Sequence, residues 1–402
     1  MRGKGLSPRE LLPLVGLACS AFIFNTSEFI PVGLLTDIAA SFSLTEAQAG
    51  MMISVYAWAV MALSVPLMVI GSRMAMKPLL LVLLALFTAG QAGSAAAPTF
   101  ELLVASRLLV AAAHAVFWSI ASPVATRVVS GGNASLAMGV VATGSSVAMV
   151  LGLPLGRAVG LAVGWRMTFG CMAAVSLAAL VYLALLLPSM EKGEPFRVRE
   201  LPGLLRNPVL VGMYAVTVCF ACGYYTGYSY IEPFLQQVAG MGDQLITVVL
   251  TVYGLAGIFG SVMFSRFYDT RRYGFIGFSI LGLACALALM RLTAAAPAVA
   301  FVMVVVWGIC GTVFNVAFQA EVIRYAPAEA ATVAMSIFSG LFNLGIGCGS
   351  ALGGAVVEGA SIAVVGFVGA AIALAGFLLF VLQLSRSMRA ADKRRAQAGS
   401  GA

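Results

Sequence analysis

Apolar stretches of about 20 residues follow one another along almost the whole chain, parted by short polar breaks. A stretch of that length crosses a bilayer as a helix, because in lipid every backbone N–H and C=O must be satisfied within the segment. Of the 402 residues only 9% are charged and 61% are hydrophobic. A water-soluble domain carries roughly 25% charged residues, so this chain lacks the polar surface to face water on all sides. Twelve spans can be drawn, near 12–36, 48–70, 78–97, 102–125, 136–160, 165–188, 208–232, 245–268, 274–292, 298–323, 331–357 and 361–383. The expected fold class is an all-α membrane protein of twelve transmembrane helices in two six-helix halves.

Polar composition then divides the chain. The longest polar stretch between spans, residues 189–207, is read as a cytoplasmic linker. It separates a six-helix bundle over 1–188 from a second over 208–385, with a basic cytoplasmic tail at 386–402. With the N-terminus in the cytoplasm, nineteen of the 23 Lys and Arg residues fall on the cytoplasmic side. That asymmetry is the positive-inside signature and puts both termini in the cytoplasm. The net charge of +8 is thus a topology signal and not a nucleic-acid footprint. The apolar run from Leu11 to Leu35 is longer than a signal-peptide core and reads as a first span.

The halves repeat. Gly152, Gly156 and Gly160 recur as Gly345, Gly349 and Gly353, offset by 193 residues, and Arg266 lies the same distance beyond Arg73. Two related halves suggest a transporter with its site between the repeats. Period-four glycines also have a plain packing role, since they let helices approach closely.

Within such spans the few polar residues are readable. Glu28 interrupts the first apolar stretch, and an acid there is costly unless it faces a cavity or a partner. It is the leading candidate for proton coupling. Arg107 in the fourth span is the candidate counter-charge, or else a snorkelling arginine. His114, the only histidine, lies two helical turns beyond Arg107 on the same face, with Trp118 one turn further. It is suited to relaying protons or bonding substrate hydroxyls, or to a plain core role. Asn25, Ser339 and Asn343, together with Asn315 and Gln319, offer neutral donors and acceptors to a hydroxylated substrate; helix–helix bonding is the alternative. Four tyrosines, 224, 225, 228 and 230, crowd the seventh span. Glu232, before Pro233, is a coupling, gating or outer-rim residue; the repeat offset of 193 pairs Glu28 with Ala221 and not with it.

Other chemistry is not supported. Seven cysteines scattered through apolar stretches give no disulfide framework, and Cys219-x-x-Cys222 has neither His nor further Cys beside it. Gly240–Asp243 followed by Tyr268-Asp269 has the order of an aspartyl-protease pair reversed. No phosphate-binding loop, nucleophile elbow or zinc motif occurs, so no cofactor, no metal and no enzymatic activity are expected. Active transport would draw on an ion gradient or on another subunit.

With these residues in hand, the chain resembles the major facilitator superfamily over nearly its whole length, and within it the drug:proton antiporter branch. GLPLGRAVG at 152–160 resembles that branch's fifth-span motif, with Gly152, Pro154 and Gly156, and Arg107 matches its fourth-span arginine. The loop after span 2, GSRMAMK, lacks the family's Asp, whereas SRFYDTRR after span 8 keeps Asp269, Arg271 and Arg272. AFIFNTSEFIPVGLL, AHAVFWSIASPVA, GWRMTFG, YSYIEPF and SGLFNLGIG look like bacterial sugar efflux transporters. The resemblance implies a monomer in the bacterial inner membrane that exports sugars or sugar-like compounds in exchange for protons by alternating access. It implies Glu28, His114, Ser339 and Asn343 as cavity residues; taken with the polar-residue reading, Glu28, Arg107 and His114 are the candidates for proton coupling, and Asn25, His114, Trp118, Ser339 and Asn343 for substrate binding. Gly152, Pro154, Gly156, Asp269, Arg271 and Glu232 are the candidates for gating. A multidrug:proton antiporter and a passive facilitator remain the alternatives.

Overall fold

The computed structural model describes residues 7–129, 133–190, 201–294, 296–327 and 330–399. Most of the 189–207 linker, and the calls resting on Arg2, Lys4, Lys192, Arg197 and Arg199, lie outside the described residues. All regular elements among the described residues are helical. They run α1 Pro8–Gly33, α2 Leu35–Ser41, α3 Glu46–Gly71, α4 Met76–Ala96, α5 Phe100–Val128, α6 Ala134–Val163, α7 Trp165–Leu186 and α8 Leu201–Leu205. Then follow α9 Pro208–Tyr228, α10 Ile231–Gln237, α11 Asp243–Leu289, α12 Pro297–Tyr325, α13 Ala331–Gly359, α14 Val365–Leu379 and α15 Ser385–Gly399.

Local chemistry starts these helices where the polar breaks end. Ser7 and Glu10 form a capping box ahead of α1, with Pro8 in the first turn, where a missing N–H costs nothing. Thr45 and Gln48 do the same for α3. The Asn207 side-chain oxygen accepts from the backbone N–H groups of Val209 and Leu210 to open α9. Large apolar side chains such as Val302 and Phe259 point outward. That arrangement suits lipid, where no hydrophobic drive separates inside from outside and small residues govern helix packing.

Eleven described helices are long and apolar enough to cross a membrane. The count differs from twelve because spans 8 and 9 are one continuous run, Asp243–Thr293, of 51 residues. At 1.5 Å per residue this run is more than twice the roughly 30 Å of a bilayer core. Its bend is at Arg271, with φ −136° and ψ 40°, where the sequence placed a loop. The run therefore supplies two crossings, and the twelve-span, all-helical fold holds.

The chain forms two compact units, Met1–Phe196 with Asp243–Thr251, and Arg197–Gly242 with Val252–Ala402. In the first unit α1 packs on α6 and α7, α4 on α5 and α7, and α3 on α5. In the second, α9 packs on α13 and α14. The glycine triplets do the same work in each. A Cβ on Gly152 of α6 would come within 2.8 Å of the Thr26 hydroxyl on α1, and one on Gly353 of α13 within 2.6 Å of the Thr226 carbonyl on α9. Close backbone approach is thus their visible role. Cys219 and Cys222 belong to the same contact zone: Gly349 faces the Cys222 backbone and Gly376 faces Cys219 Cβ. Both thiols are free.

Aromatic stacking fixes the internal register more sharply. Phe24 of α1 stacks on Phe117 of α5, with centroids 4.0 Å apart and planes at 6°. Phe220 of α9 stacks on Phe314 of α12, at 3.6 Å and 3°. Between these pairs the offset is not the 193 of the glycines. The residue one turn after Phe24 is Glu28, and the residue one turn after Phe220 is Tyr224. Three residues before Phe117 is His114, and three before Phe314 is Gly311. A Cβ on Gly311 would touch the Tyr224 ring at 3.0 Å. Where the first unit sets an acid against an imidazole, the second sets a tyrosine against a glycine. The counterpart of Glu28 in this packing register is Tyr224 and not Ala221.

Candidate functional site

Glu28 lies on α1 between Ser27 and Phe29, partly buried, and its Oε2 is 3.9 Å from Nε2 of His114 on α5. That distance is an ion-pair distance only when the imidazole is charged, and it is too long for a hydrogen bond. His114 is 5% exposed, and both its ring nitrogens are already engaged. Tyr56 Oη of α3 is 3.0 Å from Nδ1, and Trp118 Nε1 donates to Nε2 at 3.1 Å. Trp118 follows His114 by one turn, so the sequence spacing places the indole directly over the imidazole edge.

Arg107, 2% exposed, lies two turns before His114 on α5. Its Nη1 donates to Ser27 Oγ at 2.9 Å and its Nη2 to the Ser27 carbonyl at 3.0 Å. The guanidinium carbon stands 4.6 Å from the Tyr56 ring centre and 5.6 Å from that of Phe169. Tyr56 therefore joins the two halves of the α5 stripe: its ring faces Arg107 and its hydroxyl meets His114. Ser27 Oγ also accepts from Gln91 Nε2 of α4. Asn25, three residues before Glu28 on α1, donates to the Ser145 hydroxyl of α6.

Ser27, Tyr56, Gln91 and Ser145 were not singled out in the sequence. Tyr56 and Gln91 each interrupt an apolar run, as Asn25 does, and that signal alone could have marked them. Ser27 carries no such signal, since serine is common in buried membrane helices.

The polar groups of the second unit are distributed differently. Asn343 of α13 donates to the Ser339 carbonyl at 3.0 Å. Asn343 is 6% exposed, and among the described residues its Oδ1 accepts no hydrogen bond. Ser339, one turn earlier, is exposed. Gln319 donates to Asn315 within α12. The second unit also holds an aromatic cluster: Tyr224, Tyr228 and Trp307 pack with centroids between 5.2 and 6.1 Å. Tyr224 and Tyr253 share a hydroxyl–hydroxyl bond. Glu232, at 1% exposed, is buried at the start of α10 and not on a solvated rim.

The residues read as gating elements fall in three places. Gly152, Pro154 and Gly156 are buried on α6. Arg157, next on that helix, is 1% exposed and donates to the Gly33 carbonyl at 2.6 Å and to Asp243 at 2.8 Å, all inside the first unit. It thereby satisfies a carbonyl at the open C-terminus of α1. Asp269 and Arg271 are exposed at the α11 bend, lining a pocket of about 500 Å³ with Arg272, Tyr273 and Arg324.

The ordered charges of that region centre on Arg272, which pairs with Glu321 of α12 and, at 2.8 Å, with Asp392 of α15. Tyr268 donates to Glu321, while Tyr273 and Tyr325 donate to Asp392. Glu321 and Asp392 were missed because the sequence gives no sign that the tail returns to α12.

The chain can be compared with known proteins. The family profile described as Major Facilitator Superfamily matches residues 17–334 and 245–401. Among solved structures, a mutant of the nucleoside transporter NupG superposes with TM-score 0.77 at 13% identity, covering 92% of this chain and 99% of that one. A bacterial homolog of the human lysosomal transporter Spinster, inward-facing and occupied, gives TM-score 0.73 at 17% identity, covering 96% and 98%. The human organic anion transporter MFSD10 gives 0.69 at 15% identity, covering 93% and 100%. At these identities the structures share a fold and no more is carried over from them. The profile match spans well over half of the sequence, and the chain belongs to the major facilitator superfamily of multi-pass membrane transporters.

Proposed function

We propose that the protein exports sugars or sugar-like compounds from the cytoplasm of a bacterium, in exchange for protons, by alternating access in the inner membrane with both termini cytoplasmic. The observation that carries this reading is the Glu28–His114 pair, a carboxyl 3.9 Å from the only imidazole, walled by Tyr56 and Trp118. A purely structural acid in a membrane helix would be locked to a cation or to donors. Among the described residues Glu28 is instead left within ion-pair reach of one titratable partner, while the nearby Arg107 spends its hydrogen bonds on Ser27. Arg107 supplies a fixed positive charge to the site, and Glu28 and His114 supply the exchangeable proton. Asn343, with its buried free acceptor, and Ser339 are suited to bonding substrate hydroxyls. Asn25 and Trp118 are the corresponding contacts on the first unit. Gly152, Pro154 and Gly156, with Asp269, Arg271 and Glu232, are proposed to act in the conformational change.

The aromatic cluster around Tyr224 and Trp307 favours a second reading, a multidrug:proton antiporter taking flat or cationic apolar compounds. Efflux from loaded cells or inverted vesicles under an imposed pH gradient separates the readings. Radiolabelled thiogalactoside would be compared with a cationic dye, in wild type and Glu28→Gln. Gradient-driven sugar movement that is lost in the variant supports the sugar antiporter, and dye movement alone supports the drug antiporter. Sugar flux equal in both proteins and independent of pH would leave a passive facilitator.

A further inference from the structure

The hydrogen bonds of His114 define its protonation state. An indole N–H is a donor only, so Nε2, which receives Trp118 Nε1 at 3.1 Å, carries a lone pair. The imidazole proton is then on Nδ1, where it donates to Tyr56 Oη at 3.0 Å. His114 is neutral in this arrangement, and the nitrogen nearest Glu28 is the one that Trp118 covers. A proton on Nε2 and the Trp118 bond exclude each other, because both need the same lone pair.

Nε2 is also the only route by which His114 and Glu28 can exchange a proton directly, since Nδ1 faces Tyr56 on α3. The charged and titratable groups facing the imidazole are Glu28 from α1, Tyr56 from α3 and Arg107 from its own helix. Arg107 is held over the Tyr56 ring and by Ser27, so it has no part in covering Nε2. Trp118 alone does that. Unlike His114 and Phe117 beside it, Trp118 is partly exposed, so its indole has an open edge from which it can be displaced.

We propose that Trp118 is the positioning residue that decides which member of the Glu28–His114 pair holds the coupled proton. While the indole donates to Nε2, the proton resides on the Glu28 carboxyl and His114 stays neutral. When the indole turns away, Nε2 is free to accept that proton, leaving a Glu28 carboxylate and a His114 imidazolium with both N–H groups donating. Atoms and charge balance within the pair, and no further reactant is needed. The proposal rests on the reading of Glu28 as the proton carrier.

The test uses the full-length protein in lipid nanodiscs, carrying a histidine-free affinity tag and ¹⁵N-labelled histidine. His114 is the only histidine, so the ring nitrogens give one pair of NMR signals. In wild type at neutral pH the proposal predicts a proton on Nδ1 and an unprotonated Nε2. In Trp118→Phe, which keeps a ring and removes the N–H, the ratio of doubly protonated imidazolium to neutral imidazole rises by about fivefold, the size of one lost hydrogen bond. A wild-type proton on Nε2 would overturn the proposal, and so would an imidazolium fraction in Trp118→Phe equal to that of wild type. The protonation state of His114 is read without transport, so its failure is distinct from a failure of Glu28 in the efflux assay.

Discussion

Arg107 grips Ser27 by hydroxyl and carbonyl, and leaves the adjacent Glu28 without an ion pair to it within 4 Å among the described residues. The sequence leaves Arg107 as either a counter-charge to Glu28 or a snorkelling arginine, and at 2% exposed it does not snorkel. The structure shows a cation anchored one residue away, which keeps its charge near the carboxyl without locking the carboxyl in place.

Arg107→Lys follows from this geometry as a disruptive change. An ammonium cannot donate in the guanidinium's fork to the Ser27 hydroxyl and carbonyl together, nor lie flat over the Tyr56 ring. The variant is expected to lose about 1–3 kcal/mol of stability and most gradient-driven transport. Thermal unfolding in detergent and efflux rates check both.

Helix contacts at the glycines give a paired prediction. Gly152→Val drives a branched side chain into Thr26 on α1 and should cost about 1–3 kcal/mol, with poor folding yield. Gly139→Ala, on the same helix with nothing within 4 Å of the added carbon, should behave as wild type. Size-exclusion profiles and melting temperatures of the two variants measure the difference.

Much of the fold was legible because a bilayer permits so few solutions. Spans, halves and the glycine repeat all follow from apolar length and spacing. The α11 bend was not legible, because the polar cluster at 269–273 reads as a loop while its backbone stays helical on either side of Arg271. At the site, Glu28, Arg107, His114 and Trp118 could be singled out because a charged, imidazole or indole group is conspicuous in an apolar run. Tyr56 also interrupts an apolar run, but its part in the site appears only when its hydroxyl is seen against His114. The counterpart of Glu28 in the stacking register, Tyr224, was hidden as well. The glycines share an offset of 193, but the stacked phenylalanines are offset by 196 and 197.

The Arg272 network predicts unequal effects for its two acids. Glu321 is fully buried and paired, so Glu321→Gln leaves a largely buried cation with one acid and should cost about 3–5 kcal/mol. Asp392 is more exposed, and Asp392→Asn should cost about 1 kcal/mol or less. Its main effect should be to loosen α15. Limited trypsin digestion after Arg389 and Arg394 should be faster in Asp392→Asn than in wild type, with the rest of the chain equally resistant.

The central claim is that Glu28 carries the exchanged proton. The most direct measurement is proton release from purified protein in weakly buffered solution, followed with a pH-indicator dye as a transported probe is added. Wild type is predicted to release protons on binding, and Glu28→Gln is predicted to bind the same probe without release. Equal release from both proteins, or binding by wild type with no release, would contradict the account.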